Sequence, residues 1–599
     1  MSLPTELLSR IIGHLDPSDA STALDLCRLS RCSRLFHNVA SDRQLWRELY
    51  THRWRRHRSR ATYLELLLRD SEDGNGVDWK AEYGDRSLQD RAALQCVKRM
   101  VGEPIGRYSE AKYILEDAQM GVFDYLLSFQ QKLANDYAFH EQLSEKLWVR
   151  EVLDALRRAE SIQTWHKLLF ERARSEATVA CISAFSGFRG ADRVEMDDKF
   201  DALAEFTRDR LGAEYLKGHP DQREVAKGIC QAMAAKGIRP SSPHTFHRLQ
   251  NAFLNLVIDN GASTLPMSLV CIFCAIAHRL GLKASIINFP NRILGRIEGW
   301  KALEDEQEQE TYVVDVFEYG EVLAETDIMN RLSSIGIPQS SAPNFLHSAA
   351  PSEVITRVGR NIIESLTREE GGIVGSNDNS RSAHAAVASL IFVQPMVDAL
   401  PSILYQFPMD VFSIERDYIP IVQREGVEGV LMADRLRLTS RSILDRDAQP
   451  IQPRIRAQEL KPEEGDDKEI EYHIGTVFRH RRWGYIGVIK RWDPRCCADE
   501  VWIQGNNVDA LDNGGRAQPF YSISADDGSD RYIAQINVIP MRSVHAHTIH
   551  RLINRHENLG WTFTRADPER GIFVMDEAHK RKYPEDAKWQ QEILSQPGV

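Results

Sequence analysis

The stretch from Leu3 to Trp46, LPTELLSRIIGHLDPSDASTALDLCRLSRCSRLFHNVASDRQLW, decides how the rest of the chain is read. Leu3, Leu7, Leu8, Ile11 and Leu15 recur at helical spacing, so the first helix carries an apolar face. Pro4 fits only in the first turn, where its missing N–H has no intrahelical partner anyway. Asp16-Pro17 then stops the helix. Leu24, Leu26, Leu29, Cys32, Leu35 and Phe36 form a second set with a period between three and four. Ser41 with Gln44 predicts a capping box that opens a third helix carrying Leu45 and Trp46. So few residues cannot bury this many apolar side chains among themselves. Two readings stay open: a helical cap on the next domain, or an exposed apolar patch that docks a partner.

The pattern Leu3-Pro4, Glu6-Leu7, Ile11, Leu15, Leu29, Cys32, Phe36 and Trp46 resembles the F-box. That resemblance implies the adaptor Skp1 as partner, held by Leu3, Pro4, Leu7, Ile11, Leu15, Leu29, Phe36 and Trp46. Through Skp1 it implies a cullin, in an SCF-type (Skp1–cullin–F-box) ubiquitin ligase.

The chain has 599 residues, enough for several domains, with 75 basic and 86 acidic side chains and a net charge of −11. That balance gives no general push toward nucleic acid. No run of eighteen apolar residues predicts a membrane span, and Glu6 and Arg10 make the first helix unlike a signal peptide. Nine scattered cysteines, an odd number, point to a reducing compartment, the cytosol or nucleus.

Past the F-box-like stretch (1–50), THRWRRHRSR places five arginines between Arg53 and Arg60, beside Trp54. Phosphate contact and a solvated helix face are the two readings of this cluster. Residues 51–175 otherwise read as successive amphipathic helices, a platform. WKAEYGDR (Trp79, Tyr83, Arg86) resembles the segment that follows an F-box.

From residue 176 to 460 an α+β domain with a helical extension is predicted. Pro266 to Leu280 is apolar nearly all round, hence a buried central helix ended by Gly281. KASIINF and TYVVDVFEYGEVL follow as strands. Leu265-Pro266-Met267-Ser268-Leu269, Arg279-Leu280-Gly281-Leu282, Phe289-Pro290 and Asp315-Val316-Phe317 resemble the SirB1-type branch of the transglutaminase-like superfamily. Enzymes of that class hold a Cys at the N-terminus of the central helix, where the helix dipole lowers its pKa, with a His and an Asp behind it. Here the Cys position falls on Pro266, the His position on Asn291-Arg292, and Asp315 remains. The resemblance thus implies an emptied site and a non-catalytic chain. Cys271 and Cys274 lie deeper in the helix; their spacing admits a metal reading, but no second Cys/His pair accompanies them, so buried thiols are expected and no metal or cofactor.

An acidic linker (461–472) precedes the last module, 473–545, with 546–599 as a C-terminal extension. Alternation through Ile474-Thr476-Phe478 and Tyr485-Gly487-Ile489, with Gly484 between, predicts a hairpin; EVWIQG, PFYSISA and RYIAQINVI add strands to a small barrel. Gly475, Arg479, His480, Gly484, Tyr485, Gly487, Trp492-Asp493-Pro494 and Gln518-Pro519-Phe520-Tyr521 closely resemble the YccV/HspQ family, also called the hemimethylated-DNA-binding domain. Arg479, Arg481, Arg482, Trp483, Tyr485 and Tyr521 are the candidate ligand or DNA contacts. Nine basic residues against eight acidic ones between His473 and Val544 leave +1, a poor base for phosphate neutralisation, so a protein ligand is expected ahead of DNA. The expected fold class is therefore multidomain α+β: helical F-box and linker, transglutaminase-like centre, small C-terminal β-barrel. The three resemblances in this order are similar to the F-box only protein 21 family.

Overall fold

The structure, a computed structural model, describes residues 5–16, 21–58, 60–72, 76–135, 140–169, 175–212, 221–290, 292–298, 311–368, 377–392, 404–424, 426–459 and 469–596. The chain divides into two units, residues 1–153 with 444–599, and residues 154–443.

The first unit opens with α1 (Thr5–Ile12), α2 (Thr22–Leu29), α3 (Arg34–Val39) and α4 (Arg43–Arg53). Ser33 caps α3, accepting from Phe36 N at 3.2 Å, and Asp42 caps α4, accepting from Leu45 N at 3.0 Å. Ser41 is not the cap that the capping-box reading predicts; its hydroxyl accepts from Lys80 Nζ instead, at 3.1 Å. A carboxylate also complements the positive end of the helix, which favours Asp42 over its neighbour.

Two further helices, α5 (Arg60–Glu72) and α6 (Trp79–Gly102), complete this region. Trp46, Tyr50 and Trp54 recur one turn apart along α4 and its cap, and Trp79, Tyr83 and Arg86 recur along α6, so two rows meet face to face. Trp46 meets Tyr83 edge-on at 5.3 Å, Tyr50 meets Trp79 at 5.2 Å and Trp54 meets Tyr83 at 4.8 Å. Such aromatic pairs add to the burial of their area. The WKAEYGDR segment thus covers much of the apolar surplus of the first four helices. The arginine cluster, read as phosphate contact or solvated face, is split: Arg55 and Arg58 are exposed, whereas Arg53 and Arg56 turn inward. Arg56 is buried and pairs with Asp124 at 2.5 Å, Arg53 lies over Trp54 at 4.9 Å, and Trp54 Nε1 donates to buried Asp90 at 3.1 Å.

The barrel belongs to the same unit. The helix α7 (Leu143–Leu168) supplies Leu143 to the barrel core and Ser144, whose hydroxyl donates to Gly560 O at 2.8 Å. Arg107 pairs with buried Asp576 at 3.0 Å, and Arg581 with Glu103 at 2.8 Å. Residues 461–468 of the expected acidic linker lie outside the described residues. Helical platform and barrel are in direct contact, not held apart by a linker.

In the second unit, α8 (Pro266–Arg279) buries every side chain from Met267 to Ala277. Gly281 follows at φ +83°, a left-handed stop that a side chain would strain. Beside it lies an antiparallel sheet of β1 (Lys283–Ile287), β2 (Leu294–Glu298), β3 (Thr311–Asp315) and β4 (Glu321–Leu323), in that order. The single strand read through TYVVDVFEYGEVL is in fact the β3–β4 hairpin, turned at Tyr319 (φ +56°) and Gly320 (φ +88°).

The barrel comprises β5 (Val477–His480), β6 (Ile486–Asp493), β7 (Phe520–Ala525), β8 (Asp530–Ala534) and β9 (Val538–Pro540), in the order β8-β7-β6-β5-β9. β8 and β9 are opposite edges, yet only Gln535–Asn537 joins them. A flat five-stranded sheet is about 19 Å across, whereas that connection spans at most about 14 Å; the sheet has to curl. EVWIQG, read as a strand, is the helix α9 (Glu500–Gly505): the Asp499 side chain accepts from Trp502 N at 2.8 Å, and the cap overrides the β-forming Val, Trp and Ile. The core also does not stop at residue 545. Ile549, Leu552, Leu559, Phe563, Phe573, Met575 and Tyr583 pack with Ile474, Phe478 and Trp492, and α10 (Pro584–Ser595) carries buried Asp586 and Gln590.

Candidate functional site

Three places present chemistry of use to a partner or substrate. The first is α1. Leu8 and Ile12 point into the core, while Leu7 and Ile11, 45% and 56% exposed, point to solvent. An eight-residue helix with apolar side chains on both faces is fixed by one and leaves the other for something else. Leu15, Leu29 and Phe36 are half-buried against the core. Leu3 and Pro4 lie outside the described residues. Trp46 corrects its assignment as a partner contact: it is 2% exposed, and its Nε1 donates to Ala40 O at 2.7 Å. Its role is to join α4 to α3 and α6. Leu24, 53% exposed on α2, is an apolar side chain that the reading of the sequence left out of the contact set.

The second place is the end of β3. Asp315 is fully buried. Its Oδ1 accepts from Phe317 N at 3.2 Å and Glu318 N at 3.3 Å. Its Oδ2 meets Arg292 Nε at 3.2 Å and Arg331 Nη1 at 2.7 Å. Arg292 also pairs with Glu318 at 2.7 Å and lies over the Phe317 ring at 5.3 Å. Asp315 thus holds two guanidinium groups, which cannot act as bases. Asn291 lies outside the described residues. Pro266 is the first residue of α8, where a missing N–H costs nothing. Cys271 and Cys274 are buried, and burial pushes both thiols up. Cys230, which stands in no recognisable motif, is pushed up to about 12 by burial and by the Asp315 charge. No set of metal-ligating side chains occurs among the described residues.

The third place is a cleft of about 750 Å³ on the barrel, lined by the β5–β6 hairpin tip, by β8 and by the α9 segment. Of the candidate contacts, Arg482, Trp483 and Tyr485 line it; Arg479 and Arg481 are exposed but outside it, and Arg481 Nε donates to Ile536 O at 2.8 Å. Tyr521 corrects its assignment as a ligand contact: it is fully buried, and its hydroxyl donates to Gln535 Oε1 at 2.6 Å. His480 organises the tip. Its Nδ1 accepts from Arg482 N at 3.2 Å and Trp483 N at 3.1 Å. Burial, then the charges of Arg531 and Arg482, lower its pKa to about 4, so at neutral pH it remains an acceptor.

Three family models match the chain in order: F-box-like over residues 1–52, transglutaminase-like superfamily over 195–360, and hemimethylated DNA-binding protein YccV like over 470–570. The chain is therefore a multidomain α+β protein built from an F-box-like, a transglutaminase-like and a YccV-like domain. It is similar to F-box only protein 21 of Mus musculus and of Homo sapiens, each 23% identical over 594 residues that cover 90% of this chain and 86% of that protein. In domain order, and in this similarity over most of its length, the chain resembles the F-box only protein 21 proteins. No solved structure matches it.

Proposed function

We propose that this chain is the substrate-recognition subunit of an SCF-type ubiquitin ligase, docking on Skp1, and through it on a cullin, by the outer face of α1. The observation that carries the reading is the pair Leu7 and Ile11, exposed on a helix whose other face is locked in the core. Leu7→Ala with Ile11→Ala removes apolar contact worth about 2 kcal/mol or more, roughly thirtyfold in affinity. Skp1 recovered with the purified variant is expected to fall by that factor while Leu8, Ile12 and the rest of the fold stay in place. Equal recovery from native and variant chains removes the F-box role.

In this reading the chain has no chemistry of its own: Pro266 and Arg292 stand where a thiol enzyme of this fold needs its Cys and His, and Asp315 is occupied by two arginines. Iodoacetamide at neutral pH is expected to label exposed Cys32 and Cys497 and to spare Cys271 and Cys274 in the native chain. Fast labelling of Cys271, or turnover of an amide substrate, would falsify it. Nine free cysteines fit residence in the cytosol or nucleus.

The competing reading is a DNA-binding protein that uses its YccV-like domain. It requires binding of hemimethylated duplex by the whole chain, with affinity that falls steeply as salt rises. Lys490 and Arg531 in the barrel cleft are already paired, with Asp530 and Asp527, which favours the protein-binding reading.

A further inference from the structure

The barrel cleft has an edge, a floor and a charge, and each narrows what fits. Its volume of about 750 Å³ is in the range of sites that enclose a ligand group.

The edge is β8, an outer strand whose five residues all line the cleft. The cleft runs along the strand and continues over the adjoining face of the sheet, where Lys490, Phe520 and Ser522 line it. The bonds from Gln535 N to Pro519 O and from Ala525 N to Ser529 O, both 2.9 Å, make Ala534–Phe520 and Asp530–Ser524 the non-hydrogen-bonded kind of antiparallel pair. Asp530, Tyr532 and Ala534 therefore aim their own N–H and C=O groups away from β7. No strand of the described residues pairs with that side. An unpaired strand edge inside a cleft is a template for another extended chain.

The floor is apolar, built from Trp502, Val508, Leu511 and Phe520. The charge is positive. Arg482, Lys490 and Arg531 line the cleft against Asp530 alone. Lys490 is tied to Asp530 at 2.8 Å, and Arg531 to Asp527. Arg482 makes no ion pair among the described residues; it lies 4.8 Å over Trp483, itself 66% exposed. One available guanidinium beside an apolar floor suits a carboxylate next to an apolar side chain. It does not suit the run of phosphates along a duplex, which calls for several cations in a row.

We propose that this cleft is a peptide slot. It takes an extended acidic segment of the captured protein, which pairs as a strand with the free edge of β8. An apolar side chain of that segment rests against Trp502 and Leu511, and a carboxylate meets Arg482. The inference rests on the substrate-receptor reading only in naming the segment as part of a captured protein. His480 serves the slot as a positioning residue, holding the hairpin tip through Nδ1.

The test uses the full chain and arrays of ten-residue peptides in which one leucine or phenylalanine is flanked by Asp and Glu. Matched arrays carry Lys in place of the acids, or N-methyl groups on alternate backbone nitrogens. Acidic peptides are expected to bind at least tenfold better than their Lys counterparts, and N-methylation to abolish binding. Arg482→Glu is expected to lose the acidic peptides with Skp1 recovery unchanged. Absence of charge preference, indifference to N-methylation, or acidic binding unaffected in Arg482→Glu overturns the slot. So does tighter binding of a hemimethylated duplex with a steep salt slope that Arg482→Glu removes. Skp1 recovery from the same preparation reads the receptor function separately, so failure of either is recognised by itself.

Discussion

Replacing Asp586 by alanine is expected to unfold the C-terminal barrel under conditions that leave the native chain intact. The carboxylate is fully buried and accepts from Ile474 N at 2.9 Å, Trp492 Nε1 at 3.0 Å and Arg456 at 2.5 Å, with His473 Nδ1 at 3.2 Å. Without it, a partly buried guanidinium and two buried donors are left unmatched, a loss of about 3–5 kcal/mol. Whole domains are stable by only about 5–15 kcal/mol. Amide exchange in β5 and β6 should accelerate at least a hundredfold, while α8 keeps its protection. Asp586→Asn, which retains an acceptor oxygen, should fall between the two.

Acid should act through the same group. Burial alone would raise the pKa of Asp586, but His473, Arg456, Trp492 and the Ile474 N–H together hold it below the usual carboxylate value. A carboxylate that is depressed in the folded state contributes its stability above its unfolded pKa of about 4 and loses it as pH falls through the folded value. Native barrel protection should therefore weaken below about pH 4. Exchange in Asp586→Ala that matches the native chain would mean that the barrel does not depend on this carboxylate.

Asp315→Ala is expected to strike the other unit as hard. It leaves Arg292 and Arg331 facing each other with their shared counter-charge gone, and frees the Phe317 and Glu318 N–H groups. The loss is again about 3–5 kcal/mol, or roughly 10 °C in the melting of a unit this size. Calorimetry of the full chain should show that shift in the transition of residues 154–443 alone. An unmoved transition would place the stability of the β3–β4 hairpin elsewhere.

What the sequence made legible was what neighbours in the chain decide. The all-round apolar run of α8 with Gly281 behind it, and the hairpin around Gly484, follow from local pattern and turn chemistry, and both are present. The misreadings have local causes too: Asp42 out-competes Ser41, and Asp499 turns β-forming residues into a helix. The other errors come from distant partners. Trp46 and Tyr521 look like contact residues until Tyr83 and Gln535 cover them. Nothing near Ile474 announces that an acid 112 residues later will bind its amide. The apolar surplus of the first helices was real, but α6 takes most of it, leaving Leu7, Ile11 and Leu24 as the part that faces outward. The cleft was half legible: its hairpin tip is contiguous in sequence, whereas its floor comes from α9 and the turns after it.

A chain whose first and last quarters share a single body is made in an awkward order. Ser144 leaves the ribosome 416 residues before Gly560, the carbonyl it binds. At ordinary synthesis rates that is a delay of about 20–80 s. Through this interval Leu143 and Trp148 lack the barrel and Trp561 that bury them, and Arg107 lacks Asp576. The intervening 154–443 segment can finish its own core first. The nascent molecule therefore keeps these groups uncovered until its last quarter is made, so truncation between 546 and 586 is expected to open both ends of the protein to limited proteolysis while residues 154–443 resist it.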